Sequence, residues 1–391
     1  MPILGDTDLA ARRLRGRMVR ALAREGLLAD QHWRAAFADV PRHEFLPRFF
    51  RPVSTYGWAA VDSTDDDWLA QVYANRVLVT QLDGDPARWG VARAQGEIPG
   101  VPTSSSSMPA IMAVMLDALD LADGHRVLEI GTGTGYNAAL LCHRLGQHLV
   151  STVDIDAALV TSAREALARC GFRPTCAATD GAKGYLPNAP YDRLLSTCAV
   201  SAIPLHWLAQ TRSGGVLVTT LNRPLGAGLV RIVAGDGPCG RGRVLADDGR
   251  FMPLRAHRKP LEQDLLNALA EEPGEERRST LPANTVTSPA SPFEFFAGLA
   301  LAGVVAVPVA PERVLLVHPD GSWARVRSTS DRTLVTQAGP RRLWEEAEQA
   351  YEDWRELGRP RRTRFGITVD PTGQDLWLDS PDSRYRWPLT V

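Results

Sequence analysis

The stretch RVLEIGTGTGYNAALL, residues 126–141, decides the fold. Val127 to Ile130 read as a short buried strand. Gly131, Gly133 and Gly135 then interrupt the chain, and a helical pattern starts at once. Glycines let such a turn pass close under a ligand without Cβ clashes. Outward from this point the same alternation continues. Apolar runs at LVSTVDID (149–156), TCAATDG (175–181), YDRLLSTC (191–198) and GGVLVTTL (214–221) end in Gly or polar residues. Helical segments at 109–121, 135–145, 157–170 and 204–212 lie between or beside them. Strand–helix alternation of this kind predicts an α/β fold with a parallel sheet covered by helices on both faces.

The loop also selects a ligand. A dinucleotide motif, G-x-G-x-x-G, needs glycine three residues after Gly133, and Tyr136 stands there. Glu129 lies two residues before Gly131, where a negative charge suits a cation better than a pyrophosphate. S-adenosylmethionine carries an ammonium and a sulfonium and fits that charge. Asp154 follows at the end of the second strand, placed to accept hydrogen bonds from ribose hydroxyls, with Ile155 beside it. Asp180 and Gly181 end the third strand at the height of an adenine. Thr132, Tyr136, Asn137 and Thr197 complete the expected cofactor-binding set. The competing reading is a structural glycine turn with surface acids.

Composition excludes other classes. The chain has 391 residues, 44% apolar and 23% charged, with a net charge of −1. That is an ordinary globular composition without a nucleic-acid footprint. No apolar run reaches the roughly 20 residues of a membrane span. MPILGDTDLAARRLRGR has acids at Asp6 and Asp8 and no apolar core, so no secretory signal is expected. Five scattered cysteines without a C-x-x-C pair predict reduced thiols and a cytoplasmic protein. The eight histidines are dispersed, so no metal site is expected.

The remaining organisation is coarser. Residues 8–40 read as helical, broken at Gly26, and the prolines of VPRHEFLPRFF end them. Residues 51–100 read as aromatic-rich and irregular, with one strand in RVLVTQLDG. We expect an N-terminal helical and cap region at 1–100, a methyltransferase core at 101–255, a linker at 256–293 and an α+β substrate-recognition extension at 294–391. The extension carries hairpin signals in RVLLVHPDGSWARVR and ITVDPTGQDLWL. Its helix PRRLWEEAEQAYEDWREL is amphipathic.

The fourth strand ends LLSTCAV, without the N/D-P-P-Y/F turn often found in enzymes that methylate amide or ring nitrogens. VPRHEFLP (40–47), SMPAIMAVML (107–116), VLEIGTGTGYNAALL, TDGAKGY, APYDRLLSTCAV, IPLHWLAQTRSGGVLV and GRFMPL follow one another in order. In this order they resemble the protein-L-isoaspartate O-methyltransferase family from about residue 8 to 255. The resemblance implies a Rossmann-like class I methyltransferase with N-terminal helices, here with a C-terminal α+β extension. It implies methyl transfer from S-adenosylmethionine to a peptide carboxylate, with collapse of the ester to a succinimide. A carboxylate is already ionised at neutral pH, so no general base is needed. By resemblance Ser107 matches the serine that contacts the substrate carboxylate. Pro109 suits the first turn of the helix that follows. Thr103, Ser104, Ser105 and Ser106 are expected to line or flex an active-site lid. Helix capping by Ser105 to Ser107 is the alternative.

Two departures bear on substrate. WGVARAQGEIPGVPTSSSS (89–107) does not match the family's acidic, aromatic, Pro-Ile segment. The extension after 255 is the second. The long form resembles methyltransferases that tailor ribosomally made peptides, closest to the ATP-grasp-associated group. That implies a cyclised precursor peptide as partner, an ordinary aspartate as acceptor and an aspartimide product. Trp344, Tyr351 and Trp354 are then either substrate contacts or the extension's own core. Arg361, Arg362 and Arg364 are a solvated face or a lure for an acidic peptide. His43 reads as structural, and Cys198 as a packed thiol. The other readings are repair of damaged proteins, a small-molecule carboxyl methyltransferase, and a scaffold with the serines as linker. The oligomeric state is not legible, and a monomer is favoured.

Overall fold

The computed structural model describes residues 6–54, 57–221, 223, 225–255, 273–310, 312–329 and 332–389. The chain forms two compact units. The first comprises Met1–Cys198, Pro204–Thr219 and Val233–Pro238.

Helix α1 (Asp6–Arg24) is amphipathic and buries Ala11, Met18, Val19 and Leu22. The Asp30 side chain accepts the His32 N–H and starts α2 (Gln31–Asp39). Strands β1 (Arg48–Pro52) and β2 (Gly57–Asp62) follow, then α3 (Trp68–Val72), β3 (Leu78–Leu82), α4 (Arg88–Gln95), β4 (Ile98–Pro99) and β5 (Pro102–Ser106). They build an antiparallel sheet in the order β4-β2-β1-β3-β5. The stretch 51–100 is therefore a sheet with two helices, not irregular chain. Its strands have two to six residues, too short to display a period. What unites them is a shared cluster of Phe50, Val79, Leu82, Ala92 and Ile98.

Helix α5 (Pro109–Ala118) leads to β6 (Val127–Ile130), buried throughout. Then come α6 (Tyr136–Leu145), β7 (Val150–Asp154), α7 (Ala157–Arg169), β8 (Thr175–Ala178), β9 (Tyr191–Val200), α8 (Leu205–Ala209) and β10 (Thr211–Leu221). Within the first unit the strand order is β10-β9-β6-β7-β8. β9, β6, β7 and β8 are parallel. The loops after these strands therefore open at one edge, where open α/β sheets bind ligands.

The second unit comprises Ala199–Ile203, Thr220–Ile232 and Cys239–Val391. It holds most of β11 (Gly228–Ala234), β12 (Gly240–Val244), and an antiparallel sheet of β13 (Glu275–Ser279), β14 (Val305–Ala310), β15 (Arg313–Val317), β16 (Trp323–Ser328) and β17 (Thr333–Ala338). β18 (Phe365–Asp370) pairs with β12 and with β19 (Gly373–Leu378), which pairs with β20 (Arg386–Pro388). Both expected hairpins are present, β15/β16 turning at Gly321 (φ 89°) and β18/β19 at residues 371–372. Of the expected linker 256–293, residues 256–272 lie outside the described residues. The remainder is structured: β13 is a full partner of β17, and Ala283–Thr287 is helical. Pro and charge at 273–292 mark a strand edge and helix start here rather than a linker.

The helix Leu343–Glu356 turns its aromatics inward. Trp344 is fully buried with its Nε1 donating to Ser279 Oγ at 2.9 Å. Trp354 donates to the Pro360 carbonyl, and Tyr351 packs edge-on against Phe293. They form the core of this unit. The basic run is largely committed as well: Arg362 pairs with Asp248 at 3.1 Å and Arg364 with Asp379 at 2.7 Å.

Candidate functional site

The site grows from the end of β6. The Gly131 and Thr132 N–H groups both donate to the Val153 carbonyl, at 2.8 and 3.1 Å, and fold the loop over the end of β7. Gly131 has φ 97°, and a Cβ there would stand 2.6 Å from Thr197 Oγ1 and 2.9 Å from Cys198 Sγ. Only glycine allows the loop to lie this close to the end of β9. Gly135 has φ 86°, and a Cβ there would stand 3.2 Å from the Ala163 Cβ of α7, so glycine lets α6 start close against α7.

Glu129 sits beneath this loop with no exposed surface. Its Oε1 accepts from Asn137 Nδ2 at 2.6 Å and its Oε2 from Thr152 Oγ1 at 2.7 Å. Burial pushes its carboxyl up to about 7, against the pull of those two hydrogen bonds. The Asn137 Oδ1 atom is buried without a partner. Such an acceptor beside a carboxyl poised to ionise fits an ammonium donor.

Asp154 accepts the Gly133 N–H at 3.0 Å and the Asp156 N–H at 3.1 Å, so its carboxylate is held at the strand edge. Ile155 beside it is 46% exposed, an apolar surface for a flat ring. Asp180 caps the turn Gly181–Lys183 through the Ala182 N–H at 3.0 Å. The Gly181 carbonyl accepts from Trp207 Nε1. Thr197 Oγ1 lies 2.9 Å from the Gly131 carbonyl. A cleft gathers Glu129, Gly131, Thr132, Gly133, Tyr136, Asn137 and Thr197, joined by Thr134 and Met112. Gly135, Asp154, Ile155, Asp180 and Gly181 lie outside its lining.

Ser105, Ser106 and Ser107 line the other side of this cleft. The run is a strand, not a lid loop: Ser106 pairs with Leu78, Ser105 with Val79 and Ser104 with Gln81. Ser104 and Ser106 are buried on one face. Ser104 Oγ accepts from Thr80 Oγ1, and Thr103 Oγ1 accepts from the Gly84 N–H and donates to Gln81. Thr103 and Ser104 are thus structural ties outside the cleft lining. Nor do the serines cap α5. Met108 holds the cap position, Pro109 opens the helix, and Asn75 Oδ1 accepts the Ala110 N–H at 3.0 Å. Among the described residues the Ser107 hydroxyl has no hydrogen-bond partner, and Ser107 lines the cleft.

Arg42, which the sequence reading passed over, holds this edge in place. Its fully buried guanidinium donates to the carbonyls of Val72 (2.6 Å), Ala74 (3.3 Å) and Ser107 (3.0 Å) and to Ser106 Oγ (3.4 Å). Burial lowers its pKa to about 10, so it remains a cation at neutral pH. Its one sequence signal was its place in VPRHEFLP, an arginine amid residues that must pack. His43 beside it bonds Tyr73 at 2.8 Å and meets Trp68 edge-on, a packing role. Burial pushes the Cys198 thiol up to about 12, which leaves it protonated and inert. No group of three His, Cys, Asp or Glu among the described residues could hold a metal, and no described helix is long and apolar enough to cross a membrane.

The family model for protein-L-isoaspartate(D-aspartate) O-methyltransferase matches residues 97–237, spanning the serine strand and the cofactor loop. A protein-L-isoaspartate O-methyltransferase of Azorhizobium caulinodans is 35% identical over 192 residues, covering 48% of this chain and 86% of that one. The chain belongs to the protein-L-isoaspartate O-methyltransferase family. A Thermococcus sibiricus protein of the same name is 30% identical over 204 residues, covering 52% of this chain and 75% of that one. As a member, the chain is a protein carboxyl O-methyltransferase that uses S-adenosylmethionine. A solved structure titled protein-L-isoaspartate O-methyltransferase aligns with 94% of this chain and 100% of its own, with a TM-score of 0.53 and 22% identity. A fold of this length, extension included, therefore occurs under that name.

Proposed function

We propose that the protein methylates an aspartate side-chain carboxylate in a ribosomally made, macrocyclic precursor peptide of the ω-ester type. The observation that carries this reading is the serine strand. It presents small hydroxyls at Ser105 and Ser107 along the cleft, within the stretch that the family model matches. When bound, the cofactor supplies a methyl on a positively charged sulfur leaving group. Glu129 and Asn137 hold the cationic end, Asp154 the ribose, and Ile155 and Asp180 the adenine. Ser107 Oγ donates to one carboxylate oxygen and orients the other. That oxygen forms the new O–CH3 bond, and the C–S electron pair stays on sulfur. No residue has to remove a proton, consistent with a cleft that lacks an acid–base pair. The next backbone nitrogen of the peptide then attacks the ester carbonyl, loses its proton and expels methanol, leaving an aspartimide that water can open to isoaspartate. In this reading residues beyond 294 recognise the substrate.

Repair of isoaspartyl proteins is the second reading, favoured by the solved family structure that shares the extended fold. Incubation with S-adenosylmethionine and either a cyclised Asp-containing precursor or an isoaspartyl peptide separates the two. Mass spectrometry is expected to show methyl addition and then methanol loss on the cyclised precursor. Methylation of the isoaspartyl peptide alone would establish repair.

A further inference from the structure

We propose that α1 carries a docking stripe for an acidic, extended segment of the peptide substrate, remote from the methylated residue. Arg13, Arg17, Arg20 and Arg24 recur at spacings of four, three and four, and all are exposed. At 3.6 residues per turn they fall within about 60° of one helix face. The opposite face, with Met18, Val19 and Leu22, is buried. A surface groove of about 540 Å3 is lined by Arg17, Arg20, Ala23 and Arg24.

Three features make this more than a solvated face. Among the described residues, none of the four arginines has an acidic partner. On the helices that pack against α1, Asp39 of α2 lies against His143, and Asp67 before α3 against Arg51. Like charges three and four residues apart also oppose helix formation, and no acid stands three or four residues from any of the four arginines on this helix. The protein's net charge is −1, so the stripe's charge is not part of an overall positive balance.

The geometry selects the partner. The stripe runs about 16 Å along the helix. An extended peptide rises about 3.3 Å per residue, so alternate side chains on one face stand about 7 Å apart. Arginines one turn apart are spaced about 5–6 Å. Three or four Asp or Glu within roughly six residues can therefore meet the stripe, each carboxylate facing a guanidinium fork. This inference rests on the proposed peptide substrate, and its test is separable from that reading.

The probe is fluorescein-labelled hexaglutamate, with hexaglutamine as control, titrated by anisotropy against the full chain. Hexaglutamate is expected to bind, and to weaken with added salt. In Arg13→Gln/Arg17→Gln/Arg20→Gln/Arg24→Gln its affinity should fall about tenfold or more, as loss of four ion pairs implies. Thermal melts and methylation of a short untailed peptide check that this variant is folded. If it is not, Arg17→Gln/Arg20→Gln is used, with a proportionate loss expected. A hexaglutamate tail on a methyl-accepting peptide should lower KM without changing kcat. Equal binding of hexaglutamate and hexaglutamine overturns the stripe, as does equal or tighter binding of oligo-dT of matched charge. Absence of methylation on every peptide overturns the peptide reading, while the anisotropy still decides the stripe.

Discussion

Replacing Glu129 with glutamine should make the cofactor-free protein more stable and its cofactor binding weaker. Burial raises this carboxyl from its ordinary 4.5 to about 7. The folded state therefore holds its proton more tightly than the unfolded chain. The sign follows: stability falls as pH rises from about 4.5 to 7, and levels off above. At pH 8 the fold carries an ionised, buried carboxylate at a cost of about 3 kcal/mol. Glutamine removes that charge. It keeps one acceptor for Asn137, and the Thr152 hydroxyl can turn to accept from its amide, as it already exchanges a bond with Thr132 at 2.8 Å. Imperfect replacement of one hydrogen bond takes back about 1 kcal/mol. The net gain at pH 8 is about 2 kcal/mol, a rise of several °C in Tm. At pH 5 the folded carboxyl is protonated and the unfolded one about three-quarters ionised, a cost of only about 1 kcal/mol that the imperfect hydrogen bond offsets, so the gain should vanish.

Cofactor affinity should move the other way. The cofactor's cation needs the carboxylate, so wild-type Kd should rise about tenfold between pH 8 and pH 6. In Glu129→Gln the affinity should be weaker and almost independent of pH across that range. Calorimetric melts and cofactor titrations at pH 5, 6 and 8 test both halves. A variant less stable than wild type at pH 8 would refute the claim that Glu129 is an ionised group held at a cost. An unchanged pH dependence of binding would refute its role toward the cofactor.

Ser107→Ala should leave stability within about 0.5 kcal/mol, because its hydroxyl has no partner among the described residues. It should lower kcat/KM by 10- to 100-fold, the worth of one hydrogen bond to a carboxylate, with cofactor Kd unchanged; steady-state kinetics at normal turnover would remove its proposed role. Arg42→Lys keeps the charge but cannot span the Val72 and Ser107 carbonyls together. Leaving buried acceptors unpaired should cost about 2–4 kcal/mol in urea unfolding, and a loss below 1 kcal/mol contradicts the anchoring role. Gly131→Ala meets Thr197 and Cys198 at φ 97°, so it should lose about 1–3 kcal/mol and bind cofactor more weakly. Unaltered melting and titration curves would show that the loop is looser than its contacts imply.

What was legible followed from distance along the chain. The strand–glycine–helix turn at 127–136 is local, and its parallel sheet could be read because each strand is an apolar run bounded by polar turns. The hairpins at Gly321 and at residues 371–372 were legible for the same reason. The N-terminal sheet was not, since its strands are brief and its cluster joins Phe50, Val79 and Ile98 across about 50 residues of sequence. The serines show the limit most directly. Four consecutive serines carry no apolar alternation, so composition suggests a loop. The strand exists because β3 supplies a backbone partner and Thr80, Gln81 and Arg42 take up the polar side chains and carbonyls.

That arrangement changes what the serine run can do. A lid would order itself around substrate and lose entropy in doing so. A strand tied to β3 and to a buried guanidinium presents its hydroxyls already fixed. Ser104 is spent on Thr80 and Ser106 on Arg42, while Ser105 and Ser107 are left lining the cleft opposite the cofactor loop. Selectivity then has to come from the shape of a fixed wall and from contacts outside the cleft. Under the proposed function, a rigid, small-residue edge would accept a ring that is itself rigid, and the proposed arginine stripe would supply the grip such an edge lacks.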